Sequence, residues 1–317
     1  MPELPEVEAL AADLGARLAG RAIRRVDVPS IAALKTYDPS VDALAGTVFT
    51  GASRRGKHLV LSVDSGLHLV IHLARSGWIQ WRAGAQSEDP FGSSPRRQRR
   101  GPSRATVNGL PAFKGPLAAR VVLERAAGDE GVGGDGFDVT ERATQKRLAI
   151  HVVAHPDQVL SIATLGPEPL DASFTEERFA NILEHAGRAQ IKGVLRDQRR
   201  IAGIGNAYSD EILHAARMSP FHPASMPPDE VHRLYTALRE VLGEAVEHAR
   251  GVPASSLKAE KRQGMRVHGR KGEACPVCGD TVRQVIYADS TFEYCANCQT
   301  GGKPLADRVL SRLGVRR

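Results

Sequence analysis

The chain has 317 residues, 42% of them hydrophobic, enough for two domains or one large domain with an appendage and for a substantial core. Lys and Arg outnumber Asp and Glu by 43 to 36, a balance that favours a polyanionic partner such as nucleic acid without proving one. There is no run of about 18 apolar residues, and the opening Met1-Pro2-Glu3-Leu4-Pro5-Glu6 is acidic where a secretion signal is basic and then apolar, so the expectation is no membrane span, no signal peptide and a cytoplasmic location.

Val7, Leu10, Leu14 and Leu18 recur at near-helical spacing. Pro5 suits a first turn, Glu6 and Glu8 suit the positive end of a helix, and Gly20 is a stop, so the chain is predicted to open on one helix. Residues 22–28, 57–63, 67–73, 118–124 and 148–154 read as strands, several of them separated by Gly or by Asp-Ser-Gly. Short, turn-punctuated strands over this length predict a β-sandwich, on which the first helix should pack. Within it, 83–115 is rich in Pro, Gly, Ser and Arg, including Pro95-Arg-Arg-Gln-Arg-Arg100, and reads as a flexible basic insertion, either a solvated linker or a DNA contact.

After Leu165-Gly-Pro-Glu-Pro-Leu170 the periodicity becomes helical, with candidate helices at 174–185, 190–198, 206–217 and 229–249. The predicted fold class is therefore α+β and multidomain. It comprises an N-terminal helix and β-sandwich over 1–155, a helical domain over 171–262, a C-terminal finger over 263–302, and a basic tail over 303–317 that carries Lys303, Arg308, Arg312, Arg316 and Arg317.

All four cysteines lie near the C-terminal end, as Cys275-Pro-Val-Cys278 and Cys295-Ala-Asn-Cys298. Two such knuckles bring four thiolates onto one tetrahedral ion, and a site with no open position points to a structural Zn2+ rather than a catalytic one. A redox pair fits poorly, because that chemistry needs one such motif at a helix start. The strand-like segment Val282 to Tyr287 completes a zinc ribbon, a module used on protein, RNA and DNA alike.

Pro2 becomes the first residue once Met1 is removed. An α-amine with a pKa of about 7.7 to 8.0 is roughly one-tenth unprotonated at neutral pH, against about 0.04% for a lysine near 10.4, so a free Pro2 nitrogen is a competent nucleophile toward a sugar C1′.

Met1-Pro-Glu-Leu-Pro-Glu-Val-Glu8 closely resembles the opening of the formamidopyrimidine-DNA glycosylase and endonuclease VIII family. The resemblance continues through Arg54-Arg-Gly-Lys57-His-Leu, His72-Leu-Ala-Arg-Ser-Gly77, Leu165-Gly-Pro-Glu-Pro-Leu170, Gly203-Ile-Gly-Asn-Ala-Tyr-Ser-Asp-Glu211 and Gly269-Arg-Lys-Gly-Glu-Ala-Cys275. It implies a helix-two-turn-helix domain between the β-region and the zinc finger, and a bifunctional DNA glycosylase and abasic-site lyase of base-excision repair. Such an enzyme acts as a monomer on damaged double-stranded DNA, releasing oxidised or ring-opened bases through a Schiff base and then cutting by β,δ-elimination.

By position the resemblance implies that Pro2 is the nucleophile, Glu3 the acid that assists ring opening, Glu6 a supporting carboxylate and Lys57 a phosphate contact beside the lesion. His72 is either a phosphate contact or a satisfied core histidine. Two glycines at Gly203-Ile-Gly-Asn206 let backbone approach a ligand, the helix that follows offers free N–H groups to a phosphate, and Asn206 adds a side-chain hydrogen bond.

A glycosylase must take its base out of the stack and fill the void. The family's wedge positions correspond here to Arg75, Lys146 and Leu148; Arg75 and Leu148 are expected to act as wedges, with a surface phosphate contact as the other reading of Arg75. Two departures bear on the substrate. The segment between Leu257 and Gly269 is shorter than the loop that covers 8-oxoguanine in the family, and the finger arginine is missing from Asp289-Ser-Thr-Phe-Glu-Tyr-Cys295. Oxidised pyrimidines or bulky and cross-linked adducts are thus alternative substrates, and a non-catalytic damaged-DNA-binding protein is the alternative outside enzymes.

Overall fold

A computed structural model describes residues 1–82, 106–107, 110–111, 116–124, 134–287 and 290–306. Most of the basic insertion at 83–115 and the tail residues Arg308, Arg312, Arg316 and Arg317 lie outside the described residues. The chain forms two compact units, one of Met1, Gly15–Ala52 and Val60–His155, the other of Pro2–Leu14, Ser53–Leu59 and Pro156–Arg317. Compaction thus places Pro2–Leu14 and Ser53–Leu59 with the helical part of the chain, whereas the 1–155 reading kept them with the strands. A linear domain boundary misses segments that return to a distant partner.

Helix α1 spans Leu4–Leu18 and buries Leu4, Val7, Leu10, Leu14 and Leu18, the stripe its spacing requires. The strands of the first unit are β1 (Ile23–Asp27), β2 (Phe49–Arg55), β3 (His58–Val63), β4 (His68–His72), β5 (Gly77–Arg82), β6 (Thr106–Val107), β7 (Leu110–Pro111), β8 (Leu117–Leu123), β9 (Gly136–Glu141) and β10 (Ala149–Val153). They build a four-stranded sheet in the order β1-β8-β9-β5, a second in the order β10-β4-β3-β2, and the small β6-β7 pair. Two four-stranded sheets match the layer expectation.

Of the strands in the two four-stranded sheets, β2, β5 and β9 escape the apolar pattern. In β9 the interruption is Asp138, which faces Arg120 of β8 in register and is held by a two-pronged pair at 2.8 Å on each arm.

The second unit contains α2 (Leu160–Ala163), α3 (Glu176–Ala186), α4 (Ile191–Arg196), α5 (Asn206–Ala215), α6 (Pro228–Ala249), α7 (Leu257–Gly264), β11 (Val282–Tyr287), β12 (Ser290–Cys295) and α8 (Ala296–Thr300). The Thr175 hydroxyl accepts from the Arg178 N–H, so α3 starts two residues after the apolar pattern does. Phe174, Phe179, Leu195, Ile204, Tyr208, Leu213, Leu234 and Leu238 share one core, each large side chain contributing about 1.5–3 kcal/mol. Helix α5 runs through this unit with nearly every side chain from Ala207 to His214 buried, including Asp210, Glu211 and His214. Helix α7 was not anticipated, since Leu257-Lys-Ala-Glu-Lys-Arg-Gln-Gly264 carries a single apolar anchor, Leu257. Among the described residues no helix is long and apolar enough to cross a membrane.

Candidate active site

The start of α1 meets the start of α5. Leu4 N–H donates to the Gly203 carbonyl at 3.0 Å, which seats the N-terminal segment on the turn before α5. The Glu3 carboxylate, 2% exposed, then accepts the backbone N–H groups of Gly205 at 2.5 Å, Ala207 at 3.0 Å and Tyr208 at 3.4 Å. The free donors of a helix N-terminus are a ready anion site. Sequence reading assigned that site to a phosphate; the structure gives it to the chain's own carboxylate, because Glu3 reaches the donors first. Burial alone would raise the Glu3 pKa, but Lys261, Lys57 and the N–H groups of Ala207 and Gly205 outweigh it and hold the group at about 2.

Gly205 has no room for a side chain, since a Cβ there would stand 2.5 Å from the Glu3 carboxyl carbon. Gly203 is needed twice over, with φ at +84° and a Cβ position 2.8 Å from Leu4. Gly205→Ala is therefore expected to displace Glu3, lowering the single-turnover rate by about 100-fold, the scale of an ångström-sized misplacement, and lowering the thermal midpoint as well because the buried carboxylate loses its helix-terminus donors; paired kinetics and melting curves check it.

Glu6 is saturated. Its carboxylate accepts the Glu3 N–H at 2.8 Å, the Tyr208 hydroxyl at 2.7 Å and the Lys261 ammonium at 2.7 Å. Burial, with Glu6 beside it, holds the Tyr208 phenol far above its ordinary pKa and so keeps it a donor. Pro2 is buried at the edge of this cluster.

Lys57 sits in the tight turn between β2 and β3. Gly56, at φ +55°, makes that turn and packs on Leu165, so closely that a Cβ there would stand only 3.0 Å from the leucine side chain. Glu168 clamps the turn, accepting the Gly56 N–H at 2.7 Å and Arg54 at 2.7 Å. The Arg54-Arg-Gly-Lys57 and Leu165-Gly-Pro-Glu168 motifs are thus two halves of one support. Lys57 is 8% exposed, and burial drives its pKa down to about 8 although Glu3 pulls it upward; Lys261 and Arg196 add to the lowering.

In the other unit, His72 closes β4 opposite Ala149 and is half-buried. The loop after it closes through Gly77 N–H to the Leu73 carbonyl at 2.8 Å, so tightly that a Cβ on Gly77 would lie 2.2 Å from that oxygen. Ala74 takes φ +51° and Arg75 is left exposed. Ser76 ties this loop to its neighbour, its hydroxyl accepting Ala143 N–H at 2.9 Å. That second loop hangs on buried Glu141, which accepts the N–H groups of Arg147 at 2.8 Å and Leu148 at 3.0 Å, while Lys146 Nζ donates to the Glu141 carbonyl at 2.6 Å. Leu148 is 1% exposed. As a wedge it is therefore a correction: its apolar side chain belongs to the core, and the exposed side chains of that loop are Arg142, Thr144, Gln145, Lys146 and Arg147.

The four cysteine sulfurs all lie within 4.8 Å of one another, Cys275 to Cys298 at 3.9 Å and Cys278 to Cys295 at 3.4 Å. A tetrahedral ion with arms of about 2.3 Å sets its ligands about 3.8 Å apart, so the donor set fits zinc. The β11-β12 hairpin pairs Val282 with Cys295 and carries the second knuckle into α8.

This finger is fastened along α5. Asn206 donates its side-chain amide to the Thr291 carbonyl at 2.9 Å, Glu211 accepts the N–H groups of Arg266, Val267 and His268, and His214 Nε2 lies 3.3 Å from Cys275 Sγ. Where a finger arginine was sought, Glu293 points inward to His268, beside the buried Lys192–Asp210 pair. Sequence reasoning missed Tyr208, Glu168, Glu141, His214 and Lys261. The first two sit inside motifs already singled out, but nothing in the sequence distinguishes the others from ordinary core or surface residues.

Two family models match the chain, the formamidopyrimidine-DNA glycosylase N-terminal domain over residues 1–105 and the formamidopyrimidine-DNA glycosylase H2TH domain over 165–256. A formamidopyrimidine-DNA glycosylase-like protein of Mycobacterium tuberculosis is 53% identical over 150 residues, covering 47% of this chain and 93% of that protein. A formamidopyrimidine-DNA glycosylase of Symbiobacterium thermophilum is 34% identical over 94% of this chain and 89% of its own length. The crystal structure of the MutM (Fpg) protein from Thermus thermophilus superposes with a TM-score of 0.72 at 30% identity, covering 96% of this chain and all of that one.

Proposed function

The chain belongs to the formamidopyrimidine-DNA glycosylase family and is a DNA glycosylase with abasic-site lyase activity in base-excision repair, and from that premise we propose that its reaction runs through Pro2 and Glu3. The observation that carries this reading is the Glu3 carboxylate held ionised on the α5 N-terminus, one residue from the attacking amine. A group with a pKa of about 2 enters the reaction as a carboxylate and must take a proton before it can give one.

The Pro2 nitrogen bonds to C1′ and the bond from C1′ to the damaged base breaks, the base leaving with the bonding electron pair and taking a proton from water. The proton on the now cationic nitrogen passes to Glu3, which returns it to the ring oxygen as the sugar opens to the iminium. Loss of the C2′ proton then expels the 3′ phosphate, and a second elimination expels the 5′ phosphate. Glu6 holds the Glu3 backbone in place through the Glu3 N–H.

Lys57, partly neutral near pH 8, contacts the phosphate beside the lesion, and phosphate binding restores its full charge. His72 and Asn206 contact the backbone, Arg75 fills the gap left by the extruded nucleotide, and Lys146 supports it as a cation of the adjoining loop. A structural zinc held by Cys275, Cys278, Cys295 and Cys298 stabilises the finger. The partner is damaged double-stranded DNA, met by a monomer in the cytoplasm at the nucleoid.

Borohydride trapping on abasic DNA tests the central step. Correctly processed protein is expected to give a covalent adduct and N-terminally acetylated protein none. Equal trapping by both would remove Pro2 from the mechanism, and no trapping by either would favour a binding protein without chemistry.

A further inference from the structure

We propose that Lys261 is a positioning residue of the reaction: the short helix α7 delivers its ammonium between the two N-terminal carboxylates, where it holds Glu3 and Glu6 in place as a charged pair. The proposal rests on the reading of Glu3 given above. The ammonium lies 2.7 Å from Glu6 Oε2, 3.7 Å from Glu3 Oε1 and 4.5 Å from the centre of the Tyr208 ring, and its side chain is 14% exposed. Two carboxylates on adjacent turns of one helix start, both nearly sealed from water, repel each other unless a cation is shared between them.

The segment that supplies this cation is polar throughout except for Leu257, which anchors it in the core. The arrangement therefore has a geometric cause: one apolar contact fixes the helix, and four residues later, on the same face, Lys261 points at the site. Beside it lies a cavity of about 150 Å³ lined by Glu6, Tyr208, Glu211, Leu257, Lys261 and Met265.

The charged surroundings come from five elements. Glu3 and Glu6 belong to the start of α1, Lys57 to the β2-β3 turn, Lys192 and Arg196 to α4, Tyr208 and Glu211 to α5, and Glu244 and His248 of α6 line the cavity. Among the groups acting on Glu3, Lys261 opposes burial most strongly, ahead of Lys57. Burial alone would depress the Lys261 ammonium, but Glu6 and Glu3 together hold it above its ordinary value, so it stays charged throughout the working range.

Removing the charge has a directional consequence. Without Lys261, burial raises the Glu3 pKa with its strongest opposing charge gone, and the loss of a neighbouring cation raises that of Lys57 as well. Both limbs of the pH profile then move to higher pH.

The test is the pH dependence of single-turnover cleavage of abasic DNA for wild type, Lys261→Met, Lys261→Arg and the double variant Glu6→Gln with Lys261→Met. Wild-type trapping by borohydride is the control for the underlying reading, because its failure would discredit Pro2 chemistry and not this proposal. For Lys261→Met the acid limb, set in wild type by a Glu3 pKa of about 2, is expected to rise by at least about one pH unit, which is a further loss of about twofold or more at pH 3 relative to pH 8. Arginine should restore the wild-type profile, and the double variant should shift the acid limb back, since one of the two repelling charges is gone. A purely structural lysine would lower the melting temperature and the overall rate and leave the normalised profile on that of wild type; that result, or a failure of arginine to rescue, overturns the proposal.

Discussion

Glu3→Gln is expected to slow single-turnover strand cleavage by about 100- to 10,000-fold, the range spanned by a positioned proton-transfer group. Glutamine is nearly isosteric, but its one carbonyl replaces only one carboxylate oxygen: it can keep the Gly205 and Tyr208 N–H groups or the Ala207 N–H, and its amide nitrogen then faces a donor where the carboxylate now offers a second acceptor. Neither can it take up the proton released from the attacking amine. The loss should therefore fall on the chemical step while abasic DNA is still bound, and binding measured beside the rate separates the two.

The same substitution has a pH signature in stability. Glu3 is held at about 2, below its ordinary value of 4.5, so the stabilisation it contributes is complete above pH 4.5 and disappears as pH falls through about 2. That difference corresponds to about 3 kcal/mol at neutral pH. Urea unfolding should show Glu3→Gln less stable than wild type by about that amount at pH 7, with the gap roughly halved by pH 3. A gap that stays constant with pH would mean that the carboxylate charge contributes nothing on the helix terminus.

The parts of this site that were legible in the sequence are those whose chemistry is local. The two Cys-x-x-C pairs specify a four-sulfur cluster from spacing alone, and four sulfurs within 4.8 Å of one another are what the structure contains. Gly203 and Gly205 announce a turn that something approaches closely, yet the partner, Glu3, lies some two hundred residues earlier and no periodicity points to it. Leu148 shows the reverse error. Its correspondence to a wedge position in the family it resembles suggested a wedge, but the buried Glu141 carboxylate pulls the Leu148 N–H inward and seals the side chain in the core. Strands β2, β5 and β9 were missed because cross-strand partners such as Arg120 and Asp138 satisfy polar residues that break the alternation. Lys261 had no sequence signal at all, since a lysine on a polar eight-residue helix is ordinarily solvated.

Removing the proposed zinc is expected to disturb more than the finger. Among the described residues the finger's apolar groups are small, Val267 and Val282 against two of the cysteines, Val285, Tyr294 and Ala296 in a second group and Phe292 against Phe221, so a cross-link is expected to contribute much of what holds the module. Structural zinc in isolated finger peptides contributes about 10–16 kcal/mol, and that supply is what chelation or Cys295→Ser withdraws. The consequence travels along α5, because this one helix carries His214 at the Cys275 sulfur, Glu211 under the backbone of Arg266 to His268, Asp210 against His268, and Asn206 on the Thr291 carbonyl. Its first turn is also the cradle of Glu3. Hydrogen exchange should therefore show protection lost from 267–300 and lowered in α5, with β4 and β10 unchanged, while borohydride trapping falls by at least about tenfold and returns when zinc is restored, consistent with a second-tier contact to the reacting groups. If α5 keeps its full protection and trapping survives chelation, the finger is a separate DNA contact with no hold on the catalytic carboxylate.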